Sequence, residues 1–243
     1  MQSPKPDFQA FIRVLKRQEA PRRVFFSELY LDEEVKKAVS ERLGLPFADT
    51  SDPLVQARQD APLLAHLGYD MVRVHLPASE FPMDVLSSAS CGPAQRTRQG
   101  YLVHEHGGPI QNWQDFENYP WPRIGTLDTR PLEWAETNLP EGMKAYDLTT
   151  QVFEACTWLM GYESFFLKMY EEPDLVEAVL ERVGQTYLDY TRLLCQFDCI
   201  GVIWGTDDFG FKTQTMVSPD WIEENILPIH KQSAAIAHEN GKQ

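Results

Sequence analysis

A strongly amphipathic helix followed at once by a short apolar strand is the feature that most constrains this fold. Over 171–197 (EEPDLVEAVLERVGQTYLDYTRLLCQF), apolar residues recur at steps of three and four, which predicts a long helix with one buried face. The next segment, 199–204 (CIGVIW), is almost entirely apolar and is short enough for a buried parallel strand. Two acids, Asp207 and Asp208, follow it closely. This order is typical of an α/β fold with polar groups at its strand ends.

Helices and strands alternate along the rest of the chain as well. The pattern predicts strands over 22–31, 69–76 and 143–151, and helices over 8–17, 32–44, 52–68, 131–139 and 218–241. Ser218 is the expected N-cap of the last helix, and Pro228 is expected to kink it. Residues 77–130 are irregular except for a hairpin expected around 100–110. Since no repeat or linker interrupts the pattern, we predict a single domain over 1–243.

Composition excludes several classes of partner. The 243 residues carry a formal net charge of -14 and are 43% hydrophobic, which is typical of a packed globular protein. Nucleic acid and anionic membrane surfaces are unfavourable partners for such a charge. No apolar run approaches the length of a membrane span, and the N-terminus lacks a signal-peptide core, so we expect a cytoplasmic protein. Four scattered cysteines are too few for a disulfide scaffold and are expected to be core thiols.

Polar residues lie at or just after the predicted strand ends. They are Glu28, His75, Gln151 and the run 207–212. Because chemistry in α/β folds gathers at the carboxyl ends of the strands, this shared position predicts an enzyme site. His75 is either a proton carrier or a hydrogen-bonded structural histidine.

The acidic turn at 207–208 has a functional and a structural interpretation. Asp207 or Asp208 is a general acid or base or a cation anchor, or else the pair only begins a loop. Adjacent residues of an extended chain point opposite ways, so one carboxylate is expected to face a pocket. Lys212 either keeps a carboxylate ionised or binds an anionic group, or else it is a solvated lysine. Trp204 and Phe209 are expected to line the pocket.

His104 and His106 are the one pair with a spacing that suits a metal ligand set, since both imidazoles would lie on one face of a strand. No third ligand is evident nearby. The alternative is an exposed hairpin without a metal. We therefore predict no metal ligand in these 243 residues.

Four segments resemble the uroporphyrinogen decarboxylase superfamily, in particular its branch of decarboxylase-like proteins. They are RRVFFSELYLDEEV (22–35), PIQNWQDFENYPWP (109–122), VFEACTWLMGYESFFLKMYEEPDLVEAVLERV (152–183) and IWGTDDFGFKTQTMVSPDWIEENILPIHKQSAAIAHENGK (203–242). The resemblance implies a (β/α)8 barrel of the TIM type, here expected to be incomplete at the C-terminus because only about four of the eight strands are evident. Members of this superfamily either decarboxylate uroporphyrinogen without a cofactor or transfer methyl groups between corrinoid proteins and thiols with zinc.

The chain departs from the decarboxylases at the positions that would bind uroporphyrinogen. Their arginine-rich segment corresponds to the acidic SELYLDEE (27–34), and their catalytic aspartate falls near VRVHLP (72–77), which has none. Their active-site tyrosine falls near Thr157, and Asp208 stands where they have a serine. The resemblance therefore favours the superfamily over this particular substrate.

These patterns lead to one functional prediction with two alternatives. We expect a methyltransferase or demethylase component that acts on a small molecule with a corrinoid protein, with zinc supplied only by residues beyond Gln243. The alternatives are a decarboxylase of uroporphyrinogen or another carboxylic acid, and a non-catalytic binding or assembly protein. The predicted catalytic residues are Asp207, Asp208, Lys212 and His75, and the predicted substrate-binding residues are Trp204, Phe209, Gln151, Glu154 and Glu28. A homo-oligomer is left open, because the sequence does not determine the oligomeric state.

Overall fold

The structure is a computed structural model of the chain. It describes residues 5–83, 86–87, 101–102 and 107–243, and for 86–87 and 101–102 it describes the backbone alone. The predicted metal pair His104 and His106 lies outside the described residues.

Ten α-helices and five short strands make up the described residues. The helices are α1 (Phe8–Leu15), α2 (Glu33–Leu43), α3 (Pro53–Leu67), α4 (Trp113–Asn118), α5 (Arg130–Asn138), α6 (Val152–Met160), α7 (Tyr162–Glu171), α8 (Pro173–Leu194), α9 (Pro219–Asn225) and α10 (Leu227–Glu239). The strands are β1 (Met71–Arg73), β2 (Leu86–Ser87), β3 (Tyr101–Leu102), β4 (Lys144–Thr149) and β5 (Ile200–Gly205). Two 3-10 turns, Pro77–Ser79 and Ile124–Thr126, complete the set.

The main sheet is small, parallel and open. Its order is β1-β4-β5, while β2 and β3 form a separate antiparallel pair. The predicted (β/α)8 barrel is therefore wrong: three parallel strands among the described residues do not close into a barrel, which needs about eight.

Part of this difference comes from residues 22–31, which were predicted to be a strand and have no regular secondary structure. Their side chains and carbonyl groups instead contact α1, Asp70 and β4. Arg23 pairs with Asp70 at 2.5 Å, and the ring of Phe25 lies 5.5 Å from that of Phe11. The carbonyl of Glu28 accepts a hydrogen bond from the Tyr146 hydroxyl. The aromatic segment that was predicted to be a strand instead packs on one face of the sheet.

Each face of the main sheet has its own apolar layer. The first face packs on α3, α5 and α8, and the second on α1 and residues 22–31. Core residues of the first layer include Val72, Val74, Ala145, Ile200, Ala61, Leu132 and Leu194. Core residues of the second are Phe8, Ile12, Met71, Tyr146 and Leu148. This sandwich fixes the direction of the three strands and so places their carboxyl ends at one edge.

Two predicted helices are divided. The helix predicted over 171–197 begins at Pro173 as α8, because proline suits the first helical turn, and α7 is separate. The helix predicted over 218–241 is broken at Ile226 into α9 and α10, with Pro228 in the first turn of α10. Ser218 caps α9 as predicted and accepts a hydrogen bond from Trp221 N at 3.2 Å.

Among the helices that the structure describes, none combines the length and the apolar composition needed to cross a membrane.

Candidate functional site

The carboxyl ends of β1, β4 and β5 meet at one edge because the three strands are parallel. β4 ends at Thr149 and β5 at Gly205. Two groups of ionic and polar side chains lie at this edge. The His75 cluster comprises Arg73, His75, Glu80, Asp147 and Tyr190. The Asp207 cluster comprises Gln151, Glu154, Asp207, Asp208 and His230.

Asp147 is the centre of the His75 cluster. Its side chain is fully buried on β4, and both carboxylate oxygens accept hydrogen bonds. Oδ1 accepts hydrogen bonds from Arg73 Nε at 2.6 Å and from Leu148 N at 2.8 Å. Oδ2 accepts from the Tyr190 hydroxyl at 2.5 Å and lies 3.1 Å from His75 Nδ1. Burial alone would raise the pKa of Asp147, but His75, Arg73 and Tyr190 outweigh it and lower the pKa to about 2. Asp147 is therefore ionised.

His75 lies between two carboxylates. Its Nδ1 faces Asp147, and its Nε2 lies 2.9 Å from Oε1 of Glu80. Burial lowers the pKa of His75, but Asp147 and Glu80 together outweigh burial and raise it to about 9. At neutral pH the ring is an imidazolium that donates a hydrogen bond from each nitrogen.

Arg73 adds a second positive charge to this cluster. Its Nη2 lies 3.0 Å from His75 Nδ1, a close approach of two cations that is tolerable because Asp147 bridges them. The guanidinium also lies 5.0 Å from the ring centroid of Tyr30. Two largely buried cations thus share one buried carboxylate, and Glu80, whose side chain is 56% exposed, supplies the other negative charge.

Asp207 has a structural contact that its sequence position did not reveal. Its side chain is fully buried. Oδ2 accepts a hydrogen bond from Phe153 N, and Oδ1 accepts one from Glu154 N, each at 3.0 Å. These are backbone groups of the first turn of α6, so Asp207 caps that helix from β5. His230 Nε2 on α10 lies 3.3 Å from Oδ2.

Glu154 and Asp208 form the outer part of the same cluster. Burial raises the pKa of Glu154, and the carboxylates of Asp207 and Asp208 raise it further. Hydrogen bonds from the Gln151 side chain and from Asp208 N oppose this rise. Asp208 itself is exposed, and its Oδ1 accepts a hydrogen bond from Gly210 N at 2.7 Å. The three carboxylates therefore have three different environments.

The remaining predicted residues lie around these clusters. Trp204 is half-buried and its ring lies 5.1 Å from that of Tyr146. Phe209 is half-buried and lies 5.5 Å from Phe153. Lys212 is exposed, and the structure records no ion pair for it with any described residue. The side chain of Glu28 is exposed as well.

Backbone strain and unpaired hydroxyl groups occur at the same edge. Thr150, between β4 and α6, has a φ of 60°, which is unfavourable for a residue with a branched side chain. Thr149 Oγ1 and Thr206 Oγ1 are buried without a hydrogen-bond partner among the described residues. Strain of this kind persists where the surrounding structure imposes it, and it is concentrated at functional sites.

Carboxylates of both clusters affect the pKa of one buried side chain, Tyr187. Burial raises the pKa of Tyr187 on α8 well above its ordinary value, and the carboxylates of Asp207, Glu154 and Glu80 add to this rise. The ring of Phe81, just after Glu80, lies 5.5 Å from the Tyr187 ring in an edge-on arrangement. Tyr187 is therefore close enough to carboxylates of both clusters for each to raise its pKa.

Sequence reasoning missed four residues of these clusters: Arg73, Asp147, Tyr190 and His230. A signal existed for Asp147, which is a lone carboxylate inside the apolar strand KAYDLT (144–149). The sequence also contains a signal for Arg73. It stands two residues before His75 in a predicted strand, so both side chains are expected on the same face. For Tyr190 and His230 the sequence offers no such signal, since each lies on a helix far along the chain from its carboxylate.

Metal and thiol chemistry find little support in the described residues. Within 5–83 and 107–243, no three His, Cys, Asp or Glu side chains are placed to hold a metal ion. The described residues therefore do not supply the zinc ligand set that the resemblance implies. Cys156, Cys195 and Cys199 are buried free thiols, and burial raises the pKa of Cys199 to about 12.

At the level of class, the described part of the chain is an open parallel α/β sheet protein with two ionic clusters at the carboxyl edge. Comparison with protein-family models, with curated proteins and with solved structures finds no match to this chain.

Proposed function

We propose that this protein is an enzyme of the uroporphyrinogen decarboxylase superfamily that acts on a small carboxylic acid and uses His75 as its proton donor. The superfamily assignment is supported by the sequence resemblance of 22–35, 109–122, 152–183 and 203–242. The proton donor is supported by the geometry of the His75 cluster. A small substrate is favoured over uroporphyrinogen because the acidic segment 27–34 stands where the decarboxylases are rich in arginine.

The observation that carries this proposal is the position of His75 between Asp147 and Glu80. Asp147 orients the ring through Nδ1 and stabilises its positive charge, as in other imidazole–carboxylate pairs. Nε2 contacts the exposed Glu80 at 2.9 Å, so a substrate that displaces this carboxylate reaches that nitrogen. Arg73 keeps Asp147 ionised, and Tyr190 holds its second oxygen.

In a decarboxylation this arrangement acts after the carbon–carbon bond breaks. Carbon dioxide leaves, the electron pair of the broken bond stays on the substrate carbon, and His75 Nε2 gives its proton to that carbon. The neutral imidazole then regains a proton from water. A substrate carboxylate that takes the place of Glu80 would lie beside the positive charge of His75, so the cluster would bind the acid before it donates the proton.

The test measures carbon dioxide release by the 243-residue chain. Substrates are uroporphyrinogen and a panel of β-keto and arylacetic acids, whose carbanions are stabilised, in deuterated water. We expect turnover of the small acids with deuterium on the product carbon. His75→Gln should lower the rate by about 100-fold or more, since general-acid catalysis contributes about that much. The exposed His238 on α10 provides a matched control, and His238→Gln should leave the rate unchanged. Equal rates for the two variants would reject His75 as the donor.

A second candidate is methyl transfer with a corrinoid protein, supported by the resemblance of 203–242 and by the aromatic residues Trp204 and Phe209 on either side of the acidic turn. The assay is demethylation of methylcobalamin in the presence of a thiol. Asp208→Ala should slow it, because Asp208 is the exposed acid of the turn. An unchanged rate would remove Asp208 from the mechanism.

The remaining expectations are proposals of the same kind. A cytoplasmic location is proposed from the absence of a signal-peptide core in the sequence, and the oligomeric state is left open. If neither chemistry is found, the alternative is a non-catalytic binding or assembly role.

A further inference from the structure

Glu80 differs from the other members of the His75 cluster in its exposure. The side chains of Arg73, His75 and Asp147 are 18%, 25% and 0% exposed, whereas that of Glu80 is 56% exposed. It follows a three-residue 3-10 turn, Pro77–Ser79, and reaches the cluster through a single contact, to His75 Nε2. An ion pair with so exposed a member adds little to stability and is easily replaced.

The other charged residues of the cluster carry one net positive charge when His75 is protonated. Arg73 and His75 are then both cations, and Asp147 neutralises one of them. The hydroxyl of Tyr190 is already donated to Asp147 and supplies no charge. Without a negative group on Nε2, the ring would either keep a positive charge that is largely shielded from water, which is unfavourable, or lose its proton.

We propose that Glu80 occupies, as an internal and displaceable ligand, the binding place of the carboxylate of a small monocarboxylic acid. An incoming carboxylate replaces the Glu80 carboxylate on His75 Nε2 and leaves the charge of the cluster balanced. Glu80 then swings into solvent. The Glu80 contact is thus autoinhibitory, because it blocks His75 Nε2 to other ligands. It also indicates that the ligand carries a carboxylate, since a carboxylate already fills the place. This inference rests on the proposed function in using the same imidazole, but it concerns binding and not turnover.

Recognition by charge and by a hydrogen bond at Nε2 distinguishes a carboxylate from neutral molecules of the same shape. Acetate and acetamide are nearly isosteric, yet acetamide carries no charge to compensate the cluster. Inorganic phosphate carries charge but has a tetrahedral shape, unlike the planar group that the structure places against His75. These three small molecules therefore separate the proposed ligand class from its competitors.

The experiment is a titration with sodium acetate at constant ionic strength, followed through the ring nitrogen signals of His75 by NMR. The chain has six histidines, and loss of a signal in His75→Gln identifies the correct one. We expect weak binding to the wild type, because Glu80 competes from within the chain. Glu80→Gln removes the competing charge and keeps the shape, so acetate should bind about tenfold more tightly or better. The exposed Glu223 on α9 is the matched control, and Glu223→Gln should bind acetate as the wild type does.

Four results would overturn the inference: equal acetate affinity in the wild type and in Glu80→Gln, tighter binding of acetamide or phosphate than of acetate, a gain in Glu223→Gln equal to that in Glu80→Gln, or undiminished acetate binding in His75→Gln. Glu80 is exposed and Glu80→Gln keeps the shape of the side chain, so the variant should still fold, with stability lowered only by the lost charge on His75. If acetate binds as expected while no acid is decarboxylated, the binding site stands and the proposed function fails. If acids are turned over while Glu80→Gln gains no affinity, the function stands and the displacement fails.

Discussion

Asp207 links the end of β5 to the first turn of α6 and to His230 on α10. Three elements that are distant in sequence therefore meet at one buried carboxylate. Asp208, its neighbour, is exposed and contacts its own loop. The two adjacent acids thus differ: Asp207 connects β5 to α6 and α10, whereas Asp208 is exposed and accessible to a ligand.

This difference gives a prediction for stability. Asp207→Ala should lower the free energy of unfolding by about 2 kcal/mol, because it removes a helix cap and leaves two buried backbone N–H groups without an acceptor. Asp208→Ala should change it by less than about 0.5 kcal/mol, as an exposed substitution does. Urea unfolding followed by circular dichroism measures both. Equal midpoints for the two variants would contradict the capping role.

His75 gives a prediction for the dependence of stability on pH. Its pKa is raised from 6.5 to about 9 in the folded protein, so its protonation stabilises the fold fully below pH 6.5. This contribution, about 3 kcal/mol, is lost as the pH rises through about 9. The free energy of unfolding of the wild type should therefore fall across this interval relative to His75→Gln. His238→Gln, on the exposed face of α10, should keep the wild-type slope. Parallel curves for the wild type and His75→Gln would show that the ring is not protonated.

How much of the site could be predicted differs from residue to residue. His75 was predicted as a site residue because it follows a strand, and the structure places it in an ionic cluster. Asp207 was predicted for the same reason, but its contact with α6 depends on the packing of α6 against β5, which no local pattern contains. Tyr190 reaches Asp147 across 43 residues of sequence, so only the fold brings them together.

At the scale of elements, a glycine contact fixes the junction of α6 and α7 against the loop at 107–111. Gly161 has a φ of 81°, and a Cβ atom there would lie 2.6 Å from Gly107 N. Gly161→Ala should therefore destabilise the protein by about 2–4 kcal/mol, through both backbone strain and a clash with backbone atoms. At Gly125 a Cβ atom would meet nothing within 4 Å. Gly125→Ala should stay within about 0.5 kcal/mol of the wild type. Thermal unfolding followed by circular dichroism measures both variants. A similar loss in both variants would contradict the close approach.

Helices were easier to predict than strands in this chain. The periodicity of 171–197 identified α8, and Ser218 marked the start of α9. Pro228 was predicted to kink one continuous helix, which the structure instead divides at Ile226 into α9 and α10. The strand prediction for 22–31 failed because aromatic and β-branched residues favour any half-buried extended chain, with or without a neighbouring strand. Here Phe25 packs on Phe11, and the Glu28 carbonyl binds Tyr146, so these contacts replace strand pairing.

At the scale of the whole molecule, the barrel prediction failed because it came from a resemblance and not from a count of strands. Each predicted strand was judged by its own apolar pattern, and such patterns say nothing about closure. Closure requires strands that pair in sequence around a ring. The described residues instead pair three strands in the order β1-β4-β5 and cover both faces with helices and with residues 22–31.

Net charge gives a prediction for the molecule as a whole. A formal charge of -14 causes repulsion across the surface, which destabilises the compact state. Raising NaCl from about 0.01 M to about 0.1 M shortens the Debye length from about 30 Å to about 10 Å and weakens this repulsion. Buried pairs such as Arg73–Asp147 are screened much less, so the net effect of salt should be stabilising, on the order of 1 kcal/mol.

Urea is the suitable denaturant for this measurement because it is uncharged and leaves the ionic strength unchanged. The unfolding midpoint at pH 7 should rise with NaCl. Near pH 4.8, the isoelectric point of the sequence, the net charge approaches zero and the same salt step should have little effect. A midpoint that falls with salt at pH 7 would mean that attractive surface ion pairs, such as Arg130–Asp128, outweigh the repulsion of the excess acids.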